Sequence, residues 1–130
     1  MTHPLLAHMP ETQPYWNAAR EGRLLLPRCT ACGRHHWYPR GICPRCLSSA
    51  IEWTESSGAG SVYSHTTQPA SPAPRVLAYV RLDEGVTLLA RLEGAEPGAW
   101  RIGARVRVAP RAEGDEVPVP VGRPEQESRP

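Results

Sequence analysis

All four cysteines of the chain, Cys29, Cys32, Cys43 and Cys46, fall within one stretch of sequence, as two Cys-x-x-Cys pairs separated by ten residues. No other feature constrains the fold as strongly. A Cys-x-x-Cys turn delivers two thiolates to one metal ion, and a second such turn completes a tetrahedral shell. Gly33 follows the first pair, where the turn needs a backbone that tolerates positive φ. Pro44 stiffens the second. A pair of disulfides would require an oxidising compartment, and the N-terminus lacks the basic-then-apolar pattern of a secretory signal. A thioredoxin-like redox centre uses a single pair in a βαβ setting. The expected centre is therefore a zinc ribbon with one structural zinc per chain, because four thiolates leave no open position for water. Iron accepts the same four-thiolate geometry. His35 and His36 are expected as exposed residues of the connecting hairpin.

Composition narrows the rest. At 130 residues the chain forms one domain or two very small ones. Phe is absent and aromatic residues make up 6%, so a large core is not expected and a metal supplies cohesion that burial does not. The net charge of +2 is too mild to indicate a nucleic-acid binder. It is uneven: residues 1–53 carry six Arg against three Glu, and residues 54–130 nine Arg against ten acids. Every basic side chain apart from histidine is Arg, a bias that fits a GC-rich genome. No apolar run reaches transmembrane length, and a cytoplasmic location is expected.

Along the chain, residues 1–28 form an N-terminal arm. Thr12 and Pro14 suit the start of a short helix through Tyr15 and Trp16, and Gly22 suits its end. Two turns do not stand alone, so the Tyr15, Trp16 and Ala19 side must rest on the body of this protein or on another chain. Arg23–Arg28 is predicted as a strand and His36–Arg40 as its return. The ribbon occupies 29–55, closing with an alternating Ile51–Glu55 segment. Ser56–Gly60 reads as a linker. A β barrel follows over 56–121, with strands at 61–67, 76–82, 86–92, 105–109 and 117–121. The faces Val76, Ala78, Val80, Leu82 and Val86, Leu88, Ala90, Leu92 point inward on either side of an Asp83-Glu84-Gly85 turn. Val106 and Val108 also point inward, and Trp100 and Ile102 plug one end. Five short strands suit an OB-like barrel, and an SH3-like barrel gives much the same pattern. Residues 122–130 read as a disordered tail. The fold class is mainly β: a short N-terminal helix, a four-cysteine zinc ribbon, then a small five-stranded OB-like barrel.

The order of these parts resembles the DUF35 family, OB-fold proteins with a rubredoxin-like zinc ribbon. The resemblance rests on Pro14-Tyr-Trp16, Leu26-Pro-Arg28-Cys29-Thr-Ala-Cys32-Gly33, Tyr38-Pro-Arg40 and Cys43-Pro-Arg-Cys46. It continues through Trp53, Gly58-Ala-Gly60-Ser-Val-Tyr63-Ser, Val80-Arg-Leu-Asp83-Glu-Gly85-Val, Ile102-Gly103, Val106-Arg-Val108 and Pro118–Pro124. The resemblance implies an accessory subunit of an acyl-CoA enzyme: a thiolase of the sterol-carrier type, a thiolase-like aldolase, a hydroxymethylglutaryl-CoA synthase or a MaoC-type hydratase. It implies a hetero-oligomer, contact with the CoA thioester in some members, and neither nucleic acid nor membrane as partner. Gly122 departs from the family, whose members often carry an aromatic there.

The residues themselves offer no catalytic constellation. The cysteines are all metal ligands in this reading. His65 lacks the oriented base and nucleophile of a triad, and Asp83 and Glu84 read as turn residues. No catalytic residue is assigned. Arg101, Arg105, Arg107 and Arg111 read either as ordinary exterior charge or as contacts for CoA phosphates or an acidic partner; Arg34, Arg40 and Arg45 on the ribbon carry the same two readings. Tyr15, Trp16 and Trp37 are expected as exposed aromatic anchors for the partner. The alternatives are a nucleic-acid-binding module, since both folds serve in that role, and an independent acyl-CoA binder or hydrolase.

Overall fold

The helix forms where Thr12 and Pro14 place it, as α1 (Gln13–Ala19), entered through a 3-10 turn at Pro10–Thr12. The computed structural model describes residues 9–70, 72–112 and 117–125. Thr12 is the N-cap residue, but its hydroxyl does not cap the helix. It donates to the Met9 carbonyl at 2.8 Å and accepts the Trp16 indole N–H at 3.0 Å. Past the helix the chain reverses at Gly22, whose φ of +78° is the left-handed conformation that favours glycine. The N–H groups of Gly22 and Arg23 return to the carbonyls of Ala19 and Ala18.

The chain divides into two compact units, Met1–Ser56 with Pro110–Val119 and Ser57–Ala109 with Pro120–Pro130. In the first unit, β1 (Leu24–Cys29) pairs antiparallel with β2 (Ile51–Ser56), in register from Leu24 opposite Ser56 to Cys29 opposite Ile51. The return strand predicted at His36–Arg40 does not form. Among the described residues, one isolated bridge, Arg28 to His35, and a His36 N–H bond to the Pro27 carbonyl mark that side. Pro39 has no N–H to give a ladder, and β2 takes the place of the local segment. Leu24, Leu26, Pro27 and Cys29 are buried on β1.

The barrel consists of β3 (Ala59–Gln68), β4 (Arg75–Leu82), β5 (Thr87–Leu92), β6 (Arg105–Arg111) and β7 (Val119–Pro124), all in the second unit but for Pro110, Arg111 and Val119. It closes in the order β3-β4-β5-β7-β6, with β3 also pairing β6. The β5–β7 pair is parallel, Arg91 opposite Val121 and Leu92 opposite Gly122. A parallel third-to-fifth pair is OB topology rather than that of a wholly antiparallel SH3-like barrel. The inward faces follow the alternation of the sequence: Val76, Ala78, Val80, Leu82, Val86, Leu88, Ala90, Leu92, Val106 and Val108 are all buried. The Asp83-Glu84-Gly85 turn closes with Gly85 at φ +99° and a Leu82 N–H bond to the Val86 carbonyl at 2.8 Å.

Three expectations need correction. Ala59 and Gly60, assigned to the linker, are the first residues of β3. The last strand runs to Pro124, so Gly122, Arg123 and Pro124 belong to the barrel and not to a tail, while 126–130 lie outside the described residues. Trp100 is buried, but Ile102 is 72% exposed and does not plug the barrel. Among the described residues no helix is long and apolar enough to cross a membrane.

Gly58 and Gly60 hold strands that approach closely. A Cβ at Gly58 (φ +82°) would overlap the Val108 carbonyl oxygen, and one at Gly60 would stand 2.9 Å from the Leu82 Cα. The Gly58 carbonyl accepts the Val108 N–H at 2.8 Å, so the clash lies on a ladder bond. Gly58→Ala is expected to destabilise the barrel by about 2 kcal/mol or more, since it combines a left-handed backbone with an immovable main-chain contact. A lowered urea midpoint measures this, and an unchanged midpoint refutes the close approach.

Candidate metal centre

Two turns of the same construction, fourteen residues apart in the chain, build the centre. In the first, the Cys29 N–H donates to the Arg34 carbonyl at 2.9 Å and the Gly33 N–H returns to the Cys29 carbonyl at 2.8 Å. In the second, the Cys43 N–H donates to the Ser48 carbonyl at 2.8 Å and the Leu47 N–H returns to the Cys43 carbonyl at 2.9 Å. Each turn also aims an N–H at its first sulfur, Cys32 N–H to Cys29 Sγ at 3.5 Å and Arg45 N–H to Cys43 Sγ at 3.4 Å. The turns differ at the residue after the second cysteine. Gly33 (φ +78°) occupies it in the first and Leu47 (φ +65°) in the second.

The four Sγ atoms converge within 4.8 Å of one another. Cys29 and Cys46 approach to 3.4 Å, Cys32 and Cys43 to 3.8 Å. A tetrahedral ion at a metal–sulfur distance of about 2.3 Å sets its ligands about 3.8 Å apart, so the cluster fits one zinc-sized ion. Cys29 and Cys43 are buried, Cys32 and Cys46 exposed. The N–H groups of Cys46 and Arg45 draw the Cys43 thiol down to about 6, and that of Cys32 lowers Cys29. Cys46 goes the other way. The Ser48 N–H lowers it, but the crowded Cys29, Cys43 and Cys32 thiols and burial push it up to about 11. Four thiolates this close repel, and a divalent cation removes the conflict.

The family model for the ChsH2 rubredoxin-like zinc ribbon domain matches residues 16–52, and that for the ChsH2 C-terminal OB-fold domain matches residues 53–111. A DUF35 domain-containing scaffold protein of Pyrococcus furiosus is 36% identical over 105 residues, 75% of this chain and 76% of that protein. The chain belongs to the DUF35 family. A probable enoyl-CoA hydratase alpha subunit of Thermomonospora curvata is 36% identical over 115 residues; these make up 85% of this DUF35 chain but only 36% of that subunit. Among solved structures, a chain of the Ltp2-ChsH2(DUF35) aldolase superposes with a TM-score of 0.77 at 34% identity, covering 88% of this chain and 94% of that one.

Around the cysteines, the DUF35 chain buries what its sequence suggests it exposes. His36 is 4% exposed, and neither ring nitrogen meets a hydrogen-bond partner. Burial lowers its pKa; the Arg40 main chain opposes the shift without reaching hydrogen-bonding geometry. His35 is half-buried, within 3.0 Å of the Thr54 hydroxyl. Neither histidine is a free hairpin residue. Tyr15 is buried, and Trp16 and Trp37 are half-buried, so none of the three is an exposed anchor. They pack edge-on around Tyr15, with ring centroids 4.7 Å (Trp16) and 5.1 Å (Trp37) away. Tyr38 (39% exposed), Ile42 (54%) and Leu47 (76%) stand out instead. The sequence carries one signal for them, large apolar residues between the two cysteine pairs and just after the second.

The barrel arginines divide. Arg105 grips Asp83 with both arms of its fork, at 3.0 and 2.9 Å, and Arg107 donates to the Ser57 carbonyl at 2.9 Å. Both therefore have partners within the barrel. The Arg105 hydrogen bond lowers the Asp83 carboxyl. Asp83 is thus a turn residue with an ion-pair partner, not half of a carboxylate pair.

Two outcomes are expected. Release of zinc puts protons on the four thiolates, so zinc retention, followed with a chromophoric chelator, should fall as the pH is lowered; retention that does not change with pH refutes the thiolate cluster. His36 takes a proton less readily folded than unfolded. Its contribution is neutral above the ordinary value near 6.5 and becomes destabilising as the pH falls through it. His36→Leu should therefore keep zinc and lose less stability than wild type between pH 6.5 and 5, read by urea midpoints; identical pH dependence overturns the assignment.

Proposed function

We propose that this chain is a noncatalytic accessory subunit of an acyl-CoA enzyme, in which Cys29, Cys32, Cys43 and Cys46 hold a single structural zinc. The partner is a thiolase-like, aldolase or MaoC-type hydratase protein, and the assembly is a hetero-oligomer. One observation carries the reading: the ribbon and barrel together cover 94% of a DUF35 chain belonging to an aldolase assembly, at 34% identity. The similarity to part of a hydratase alpha subunit points the same way. The chain spans about a third of that subunit's length, and the subunit's activity is not transferred to it.

The chemistry agrees with a non-catalytic role. All four cysteines lie in the cluster, where a bound thiolate is not free for acyl transfer. His65 on β3 lies opposite Ala78, which offers no group for it to activate. What the chain supplies is a rigid scaffold and help in forming the site that receives the CoA thioester. A reducing cytoplasm keeps the four thiols available to zinc.

The test is affinity purification of the tagged chain from its native host, followed by removal and restoration of the chain. An acyl-CoA enzyme should come along in stoichiometric amount, lose at least about tenfold in activity without the chain, and regain it on addition, as expected when an ordering subunit contributes roughly 1.4 kcal/mol or more. Full activity of the enzyme alone, or turnover of acyl-CoA by this chain alone, overturns the reading.

A further inference from the structure

A groove of about 500 Å³ lies beside the second cysteine turn, walled by Glu11, Tyr38, Arg40, Ile42, Pro44 and Leu47. Tyr38, Ile42 and Leu47 are exposed around it. Scattered exposed apolar residues need no explanation, but a contiguous cluster marks a contact surface.

Leu47 makes the case specific. It holds φ +65°, the conformation that Gly33 holds in the matching turn. A branched side chain there costs about 1–2 kcal/mol that glycine would avoid. Its side chain returns little to the fold, because Leu47 is 76% exposed. The chain thus keeps a large apolar group, at a cost in backbone energy, at a position where it points into solvent.

Charge indicates what covers it. Glu52 pairs with Arg28 at 2.7 Å and Glu55 with Arg23 at 3.1 Å, while Glu11 stands in the groove wall itself. Arg34, Arg40 and Arg45 are exposed and make no ion pair among the described residues. Arg40 and Glu11 both line the groove, and the exposed Arg34 and Arg45 leave the ribbon with an excess of positive charge, complementary to an apolar recess edged with carboxylates.

We propose that Leu47, with Ile42 and Tyr38 beside it, is the anchor by which this chain docks on its acyl-CoA enzyme, and that Arg40 and Arg45 meet acidic groups at the edge of the enzyme's recess. The inference rests on the accessory-subunit reading and assigns the surface through which it operates. Leu47 fills a desolvated pocket, as interface anchors do, and the arginines steer association and fix register.

The test measures affinity between the purified enzyme that accompanies the wild-type chain and three variants, Leu47→Gly, Ile42→Ser and Arg40→Glu. Leu47→Gly should keep zinc and unfold at an equal or higher urea concentration, because it relieves the left-handed strain, yet bind the enzyme about tenfold or more weakly. Ile42→Ser should weaken binding in the same direction, and Arg40→Glu should slow association and reduce its salt dependence. Undiminished affinity in all three overturns the docking assignment and leaves the accessory role standing. Weaker binding by Leu47→Gly together with lost zinc or lowered stability also overturns it, since Leu47 then serves the fold. A wild-type chain that binds no acyl-CoA enzyme overturns both readings, as does one that instead binds a fluorescent single-stranded oligonucleotide through these residues.

Discussion

The convergence of four sulfurs within 4.8 Å is the constraint on which the N-terminal unit depends. Its parts are individually weak. A helix of seven residues does not persist alone, and a two-stranded sheet is marginal. β1 delivers Cys29 at its last position, opposite Ile51 at the first position of β2, so the sheet fixes one turn against the chain that leaves the other. The Thr30 N–H bond to the Ala50 carbonyl at 2.8 Å continues that connection past the strand ends. Binding of an ion is then the step that makes these local arrangements mutually supportive. Structural zinc contributes on the order of 10 kcal/mol to small domains of this kind, far more than any single contact in the ribbon.

The barrel stands on a different footing. Its alternating strands bury one face almost completely, and closure pairs the edges that an open sheet would expose. Its tight places are main-chain contacts at Gly58 and Gly60, where no side chain fits. Gly122 is a milder case. A Cβ there would meet the Leu92 side chain at 3.0 Å, so the absence of an aromatic at this position matches a wall with little room on that side.

The parts of the fold legible in the sequence are those set by local periodicity or by ligand spacing. Val76 to Leu82 and Val86 to Leu92 alternate without interruption, and their buried faces follow. The cysteine spacing specified the cluster for a similar reason: the turn geometry is encoded within five residues. What the sequence concealed was nonlocal. β1 chose β2, separated from it by both turns, over the nearer His36–Arg40 segment. The burial of His36 and Tyr15 likewise depends on which segments meet, not on either residue's neighbours. Aromatic residues near a metal ribbon look like exposed anchors because so small a unit has little core to hide them. Here Tyr15 lies in that core with Trp16 and Trp37 half-buried against it, and Tyr38 continues the edge-on chain from Trp37 at 5.6 Å toward the surface.

A metal-centred unit also changes what its surface is free to do. Where a fold depends on burial, an exposed leucine in a strained backbone loses twice, in hydrophobic energy forgone and in conformational energy. Where the ion supplies most of the cohesion, a loss of about 1–2 kcal/mol at Leu47 is small against the whole, and the ribbon can present Tyr38, Ile42 and Leu47 outward without endangering the fold. The two turns make this comparison internal to the molecule. They share their hydrogen bonds and their left-handed closing residue, and differ in that one closes with Gly33 and the other with Leu47. The first turn meets this backbone requirement with glycine, and the proposed docking role accounts for the leucine in the second.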